Sequence, residues 1–153
     1  MSGPAERLAA LGLMLPPVTA PVAAYVPAVR TGAYVYVSGQ LPVVDGKLPA
    51  VGKVGAEVSA EDAAGMARTC ALNAVAAAAS AAGGLAGIRR IVKVVGFVAS
   101  APGFGGQPQV INGASELLIE VFGEEGKHAR SAIGVAELPL NAPVEVELIA
   151  EVG

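Results

Sequence analysis

The sequence of 153 residues is short of several residue types, and each shortage excludes a class of protein. Its one cysteine, Cys70, cannot form a disulfide within the chain, which favours a reducing compartment. It has no tryptophan and a net charge of −3. A nucleic-acid-binding domain instead carries a basic face and stacking aromatic residues. We therefore expect a cytoplasmic protein that does not bind nucleic acid.

Charge, long apolar runs and histidine are also scarce. Charged residues make up 15% of the chain, against about 25% in ordinary soluble domains. Apolar residues reach 54%, but much of that is alanine and valine, and no stretch approaches the roughly 18 apolar residues of a membrane span. A surface so poor in charge favours a homo-oligomer. The single histidine, His128, has no second ligand spaced with it, so no metal is expected.

The order of elements predicts one α+β domain over residues 1–153. A short helix and a proline-rich lead-in occupy residues 1–20. Hydrophobic periodicity and turn residues then predict strands and helices in the order β-β-α-β-α-β-β. The predicted strands are 25–30, 34–40, 88–99, one beginning at Arg130 and 144–149; the predicted helices are about 60–82, with Ser59 as N-cap, and 108–122. This order predicts a mixed sheet with two helices on one face, and subunit association is the simplest way to cover the second face.

The C-terminal strands contain the residues of most chemical interest. Arg130 begins one strand, and Glu145 and Glu147 alternate along the next, so both carboxylates share one face. If the two strands pair as neighbours, Arg130 and Glu145 converge near one edge of the sheet. Such a pair would hold a small carboxylate and place a base beside it.

A combination of two short motifs carries a family resemblance. They are Ser38-Gly39-Gln40-Leu41-Pro42 and Ala129-Arg130-Ser131, with Leu138-Pro139 eight residues after the arginine and Glu145 fifteen after it. With these motifs the sequence resembles the Rid/YjgF family of reactive-intermediate (imine/enamine) deaminases, once labelled L-PSP endoribonucleases, and in particular a less-characterised branch of it. The resemblance implies a chorismate-mutase-like fold and a barrel-like homotrimer with pockets between subunits.

The resemblance also implies an activity and a set of site residues. The activity is hydrolytic deamination of 2-imino or 2-enamino acids to 2-keto acids and ammonia. Carried over residue by residue, Arg130 binds the substrate carboxylate and Glu145 positions the attacking water, while Tyr25, Ser38 and Asn112 complete the pocket. No cofactor is needed, because an imine is already electrophilic and the site only positions water and stabilises charge.

Other interpretations remain open at this point. The deaminases usually have a cysteine where this chain has Ala132, so the pocket could bind a small carboxylic acid without catalysis. An endoribonuclease is a weaker alternative, since the chain is acidic and has a single histidine. Arg130 could instead form an ion pair at a subunit interface. His128 is interpreted as a solvated loop residue, and Cys70 as a small buried apolar residue.

Overall fold

A computed structural model describes residues 2–18 and 23–153 of the chain; part of the predicted proline-rich lead-in lies outside these ranges. The elements are α1 (Pro4–Ala10), β1 (Ala28–Thr31), β2 (Tyr34–Gln40), α2 (Ala60–Ala82), β3 (Ile88–Ala99), α3 (Gln107–Phe122), β4 (Ala129–Val135) and β5 (Val144–Val152). Short 3-10 turns occupy Leu85–Gly87, Gly123–Gly126 and Pro139–Asn141. The predicted order of strands and helices is therefore confirmed.

The ends of α2 lie where the sequence predicts them. The Ser59 hydroxyl accepts a hydrogen bond from the Asp62 backbone N–H at 3.1 Å and caps the first turn. Gly83 ends the helix in the left-handed conformation, with a φ of 78°. The buried face between them is mostly alanine, which lets α2 approach both α3 and the sheet closely. No helix in the described ranges is long and apolar enough to cross a membrane.

The five strands form one mixed sheet in the order β1-β2-β5-β3-β4. The pairs are antiparallel except β3 with β4, which is parallel. The central strand β5 alternates strictly between buried and half-buried residues. Its buried residues, including Val144, Val146 and Leu148, face the two long helices and form the core with them. The predicted α+β architecture, with two helices on one sheet face, is confirmed.

The second face of the sheet is open and carries several large apolar side chains. Its exposed side chains include Val29 at 52%, Tyr34 at 42%, Tyr36 at 48% and Ile133 at 45% of full accessibility. No element within the described ranges packs over them. Large apolar side chains at this exposure, spread across several strands, are typical of a surface that is buried by association.

The two C-terminal strands do not pair as neighbours, so the condition under which Arg130 and Glu145 would converge is not met. β3 lies between β4 and β5, because β4 joins the sheet as a parallel edge strand beyond β3. A parallel connection through α3 can reach this edge, and sequence alternation does not reveal which strand becomes the neighbour. Arg130 and Glu145 consequently do not lie on adjacent strands.

Candidate ligand-binding site

Arg130 is held on the helix side of the sheet by residues of α3. Its Nη1 donates to Asn112 Oδ1 at 2.8 Å and to Ser115 Oγ at 3.2 Å. Its Nη2 reaches the Pro108 carbonyl at only 3.5 Å, a weak contact. Among the described residues, no carboxylate forms an ion pair with Arg130. The guanidinium is therefore oriented by neutral groups and keeps its charge available for an anion.

His128 packs beside this arginine and is half-buried, so the interpretation of a solvated loop residue is wrong. Its Nε2 lies 2.9 Å from Ser115 Oγ, and its Nδ1 lies 2.6 Å from the Gly126 carbonyl oxygen. Burial lowers the pKa of His128 below its ordinary value of 6.5; the Gly126 carbonyl opposes this, and the Arg130 cation lowers the pKa further. The imidazole is thus favoured in its neutral form.

Glu145 lies on the open face of the sheet, half-buried against β2. A Cβ on Gly39 would overlap the Glu145 carboxylate, so the side chain rests directly on the glycine backbone. Burial raises the pKa of Glu145 above its ordinary value, and the nearby Glu147 carboxylate raises it further. A carboxyl group with a raised pKa exchanges protons more readily near neutral pH, as a general base does.

Ser38 and Tyr25 lie near the same end of β2. The Ser38 hydroxyl donates to the Val26 carbonyl at 2.7 Å, and its backbone N–H donates to the Pro27 carbonyl at 2.9 Å. These bonds tie the segment that carries Tyr25 to β2. Tyr25, Ser38 and Gly39 line one wall of a groove that extends towards α2. The predicted first strand begins only at Ala28, so Tyr25 belongs to the segment before it.

The predicted site residues fall into two separate groups in one chain. We call Asn112, Ser115, His128 and Arg130 the arginine half, and Tyr25, Ser38, Gly39 and Glu145 the glutamate half. On β3, Arg130 pairs with Val94 and Glu145 pairs with Phe97.

Positions 94 and 97 on one strand point to opposite faces, so the two halves do as well. With two strand spacings between them, the Cα atoms of Arg130 and Glu145 are about 14 Å apart. One chain does not bring the two charged groups together.

The sequence identified five members of the two halves but missed Ser115, His128 and Gly39. Ser115 was missed, although it lies one helical turn after Asn112 and therefore shares its face. Gly39 was seen only as part of a motif, because a close side-chain approach leaves no mark in a single sequence. Ala132, which follows Arg130 on the same face of β4, is half-buried and packs against the core.

The chain is thus an α+β domain that places Arg130 and the carboxylate of Glu145 on different faces of one sheet. A sequence model described as "YjgF/chorismate mutase-like, putative endoribonuclease" matches residues 5–152. The chain belongs to this YjgF/chorismate mutase-like family.

Individual relatives support the same assignment. The chain is 44% identical over 148 residues to protein TCP17 of Trypanosoma cruzi. The match covers 96% of this chain and 92% of TCP17. It is 48% identical to the crystal structure of Atu1372 from Agrobacterium tumefaciens, with 97% and 92% of the two chains covered and a TM-score of 0.87. A more distant structure, Escherichia coli TdcF with bound serine, is 26% identical, with 88% and 92% covered and a TM-score of 0.64.

Proposed function

We propose that this protein is a homotrimer that binds small 2-imino or 2-enamino acids between subunits and hydrolyses them to 2-keto acids and ammonia. The observation that carries the proposal is the state of Arg130. Its guanidinium is oriented by two neutral side chains and has no carboxylate partner among the described residues. A fixed, unpaired guanidinium is suited to binding a carboxylate through two parallel hydrogen bonds.

The pocket is completed by a second copy of the chain. The arginine half and the glutamate half lie on opposite faces of one sheet, so a single chain supplies only one wall of a pocket that needs both. The open face of the sheet supplies the surface for association, since its large side chains Tyr36 and Ile133 each expose nearly half of their area. Around a closed ring of three copies, each arginine half meets the glutamate half of a neighbouring copy.

The chemistry follows from the two groups. Arg130 anchors the substrate carboxylate, and Glu145 of the neighbouring copy takes a proton from water as its oxygen bonds to the C=N carbon. Glu145 then returns that proton to nitrogen, which gives a carbinolamine. It next carries the hydroxyl proton of the carbinolamine to nitrogen as the C–N bond breaks, so that ammonia and a 2-keto acid are released. The raised pKa of Glu145 suits both proton transfers. These steps use only water and the side chains named.

The bound ligand of a relative is consistent with this substrate class. The structure of Escherichia coli TdcF contains serine, a small molecule with a carboxylate beside a carbon that carries nitrogen. A 2-imino acid has the same carboxylate and the same position of nitrogen. This likeness supports the substrate class and leaves the identity of the side chain open.

The test is ammonia release from imino acids that an amino-acid oxidase generates in the assay. Wild-type protein should accelerate the release. Arg130→Ala and Arg130→Lys should both abolish the acceleration, because lysine keeps the charge but lacks the planar fork. Arg68→Ala is the matched control, because Arg68 forms a surface ion pair with Glu120. This variant should retain full activity. A fully active Arg130→Ala variant would overturn the proposal.

Non-catalytic binding of a small carboxylic acid is the second candidate. Ala132 favours it, because this small side chain is packed against the core and brings no reactive group beside Arg130. Calorimetry with pyruvate distinguishes the two functions: binding that depends on Arg130, without turnover of any imino acid, would establish this candidate. Cleavage of added RNA would instead indicate the endoribonuclease activity named in the family description.

A further inference from the structure

His128, Ser115 and Arg130 form a chain of hydrogen bonds whose direction is fixed by the chemistry of its two ends. At one end, the Gly126 carbonyl oxygen can only accept, so Nδ1 of His128 must carry a proton. The neutral imidazole then has no proton on Nε2, which must accept from the Ser115 hydroxyl. At the other end, the guanidinium of Arg130 can only donate, so Ser115 Oγ accepts from it.

The Ser115 hydroxyl therefore donates one hydrogen bond and accepts another at the same time. Its single proton goes to His128, and one of its lone pairs receives a proton from Arg130 Nη1. Without His128 the hydroxyl would be free to rotate and to direct its proton towards Arg130. The half-buried histidine thus keeps the accepting side of Ser115 turned to the guanidinium.

The consequence for Arg130 is that one particular edge is left for a ligand. The two protons on Nη1 go to Asn112 and Ser115. Among the described residues, Nε has no acceptor, and Nη2 has only the weak contact with the Pro108 carbonyl. Nε and Nη2 together present two parallel N–H groups, the geometry that binds a carboxylate in the bidentate mode.

We propose that Ser115 and His128 are positioning residues that hold the Arg130 guanidinium with its Nε–Nη2 edge facing the ligand carboxylate. This inference rests on the proposed function, because it assigns Arg130 to carboxylate binding. It adds a specific polarity to the site: Arg130 donates to Ser115, Ser115 donates to His128, and His128 donates to Gly126. The low pKa of His128 supports this polarity, which requires a neutral ring.

Nuclear magnetic resonance of the imidazole nitrogens tests the polarity without any ligand. The chain has one histidine, so its signals need no further assignment. Neutral His128 should be protonated on Nδ1 and bare on Nε2 near pH 7.5, and Ser115→Ala should shift the Nε2 signal. A ring protonated on Nε2 instead would overturn the inference, whatever the protein does with imino acids.

Two substitutions of His128 separate positioning from simple packing. In His128→Gln the side-chain amide reaches the place of Nε2 and can still accept from Ser115. In His128→Asn the amide reaches only the place of Nδ1 and keeps the bond to Gly126. His128→Gln should change KM by no more than about twofold. His128→Asn and Ser115→Ala should raise KM about tenfold, because each weakens or removes the hydrogen bond that Ser115 accepts from the charged Arg130. The change in kcat should be smaller, because a carboxylate anchor acts on substrate and transition state alike.

The pattern of results separates the two proposals. If Arg130→Ala abolishes activity while His128→Asn and Ser115→Ala retain wild-type KM, the positioning role is wrong and the proposed function stands. If His128→Asn is tolerated and His128→Gln is not, the histidine serves only to anchor Gly126, and the inference also fails. If wild-type protein shows no turnover, the same variants are compared by calorimetry with pyruvate. If pyruvate does not bind either, the proposed function fails and the imidazole signals alone decide the polarity.

Discussion

Gly39 on β2 and Glu145 on β5 lie in direct contact, with the carboxylate of Glu145 resting where a side chain at position 39 would begin. The contact occurs where the β2–β5 register shifts between Val37 and Gln40, so the strand is irregular at this point. The backbone of Gly39 does not adopt a positive φ. The glycine is therefore needed for space and not for its conformation.

Alanine at position 39 should impair catalysis more than folding. In Gly39→Ala the new methyl group displaces the Glu145 carboxylate, and the backbone remains unstrained. A shift of about 1 Å in a catalytic group lowers the rate about a hundredfold, so kcat for imino acids should fall by that order. Gly65→Ala is the control, since its Cβ contacts nothing within 4 Å. An unchanged kcat in Gly39→Ala would mean that Glu145 does not act where it now lies.

Removing the charge of Glu145 should stabilise the folded protein at neutral pH. Its pKa is raised by burial and by Glu147, so the folded state binds a proton more readily than the unfolded state. The destabilisation is fully present above the folded pKa and disappears below the ordinary value of 4.5. Glu145→Gln should therefore unfold at a higher urea concentration than wild type at pH 7. The difference between the two midpoints should disappear towards pH 4.5. Both proteins must be compared at one concentration, because association adds to apparent stability.

The elements could be predicted from the sequence because each carries a local signal. The cap at Ser59 depends only on residues within a few positions of it. The same holds for the helix end at Gly83 and for the period-two pattern of β5. The order of strands carries no such signal. Whether β4 joins β3 or β5 depends on packing across the whole sheet, and only a β4–β5 pairing would bring Arg130 close to Glu145 in one chain.

The site could be predicted residue by residue but not as an arrangement. Arg130 and Glu145 were identified from motifs, yet their opposite faces became visible only through their pairing with Val94 and Phe97. His128 was misinterpreted because an isolated histidine in a loop gives no hint of Ser115 on a distant helix turn. Contacts between elements far apart in sequence are the part that a single sequence leaves undetermined.

The crossing of α2 and α3 depends on another glycine that the sequence did not single out. A Cβ on Gly113 would overlap the backbone carbonyl of Ala64, which cannot move aside as a flexible side chain can. Gly113→Ala should therefore lower the free energy of unfolding by about 2 kcal/mol or more. Gly65→Ala, next to Ala64 and open to space, should raise it by about 0.5–1 kcal/mol. Urea denaturation of Gly113→Ala and Gly65→Ala measures both changes in the free energy of unfolding. Equal stability of the two variants would contradict the close contact between the helices.

Mild acid should weaken the fold through His128. Its folded pKa lies below the ordinary value of 6.5, so the unfolded state binds the proton first as the pH falls. The stability that the folded protein gains from neutral His128 is fully present above about pH 6.5, and it is lost as the pH falls towards the pKa of His128 in the folded state. His128→Gln cannot titrate, so its denaturation midpoint should change less between pH 7.5 and pH 5.5 than that of wild type. Identical pH dependence in the two proteins would mean that another group is responsible.

Assembly of the protein should depend on the open face of the sheet and not on the helix layer. Tyr36 is 48% exposed on β2, in register with Val29 and Ile149 on the neighbouring strands. Burying a lysine ammonium among such side chains without a partner is strongly unfavourable. Tyr36→Lys should therefore convert the proposed trimer to a monomer, as light scattering after size-exclusion chromatography would show.

Ile119→Lys is the matched substitution for this experiment. Ile119 is 39% exposed on α3, in the helix layer, and a lysine there lies one helical turn after Glu116. This variant should keep the mass of the wild-type assembly. Because the proposed pocket joins the arginine half of one copy to the glutamate half of another, Tyr36→Lys should also lose turnover although every proposed site residue remains. A monomeric Tyr36→Lys variant with full activity would show that one chain suffices, and the composite pocket would have to be abandoned.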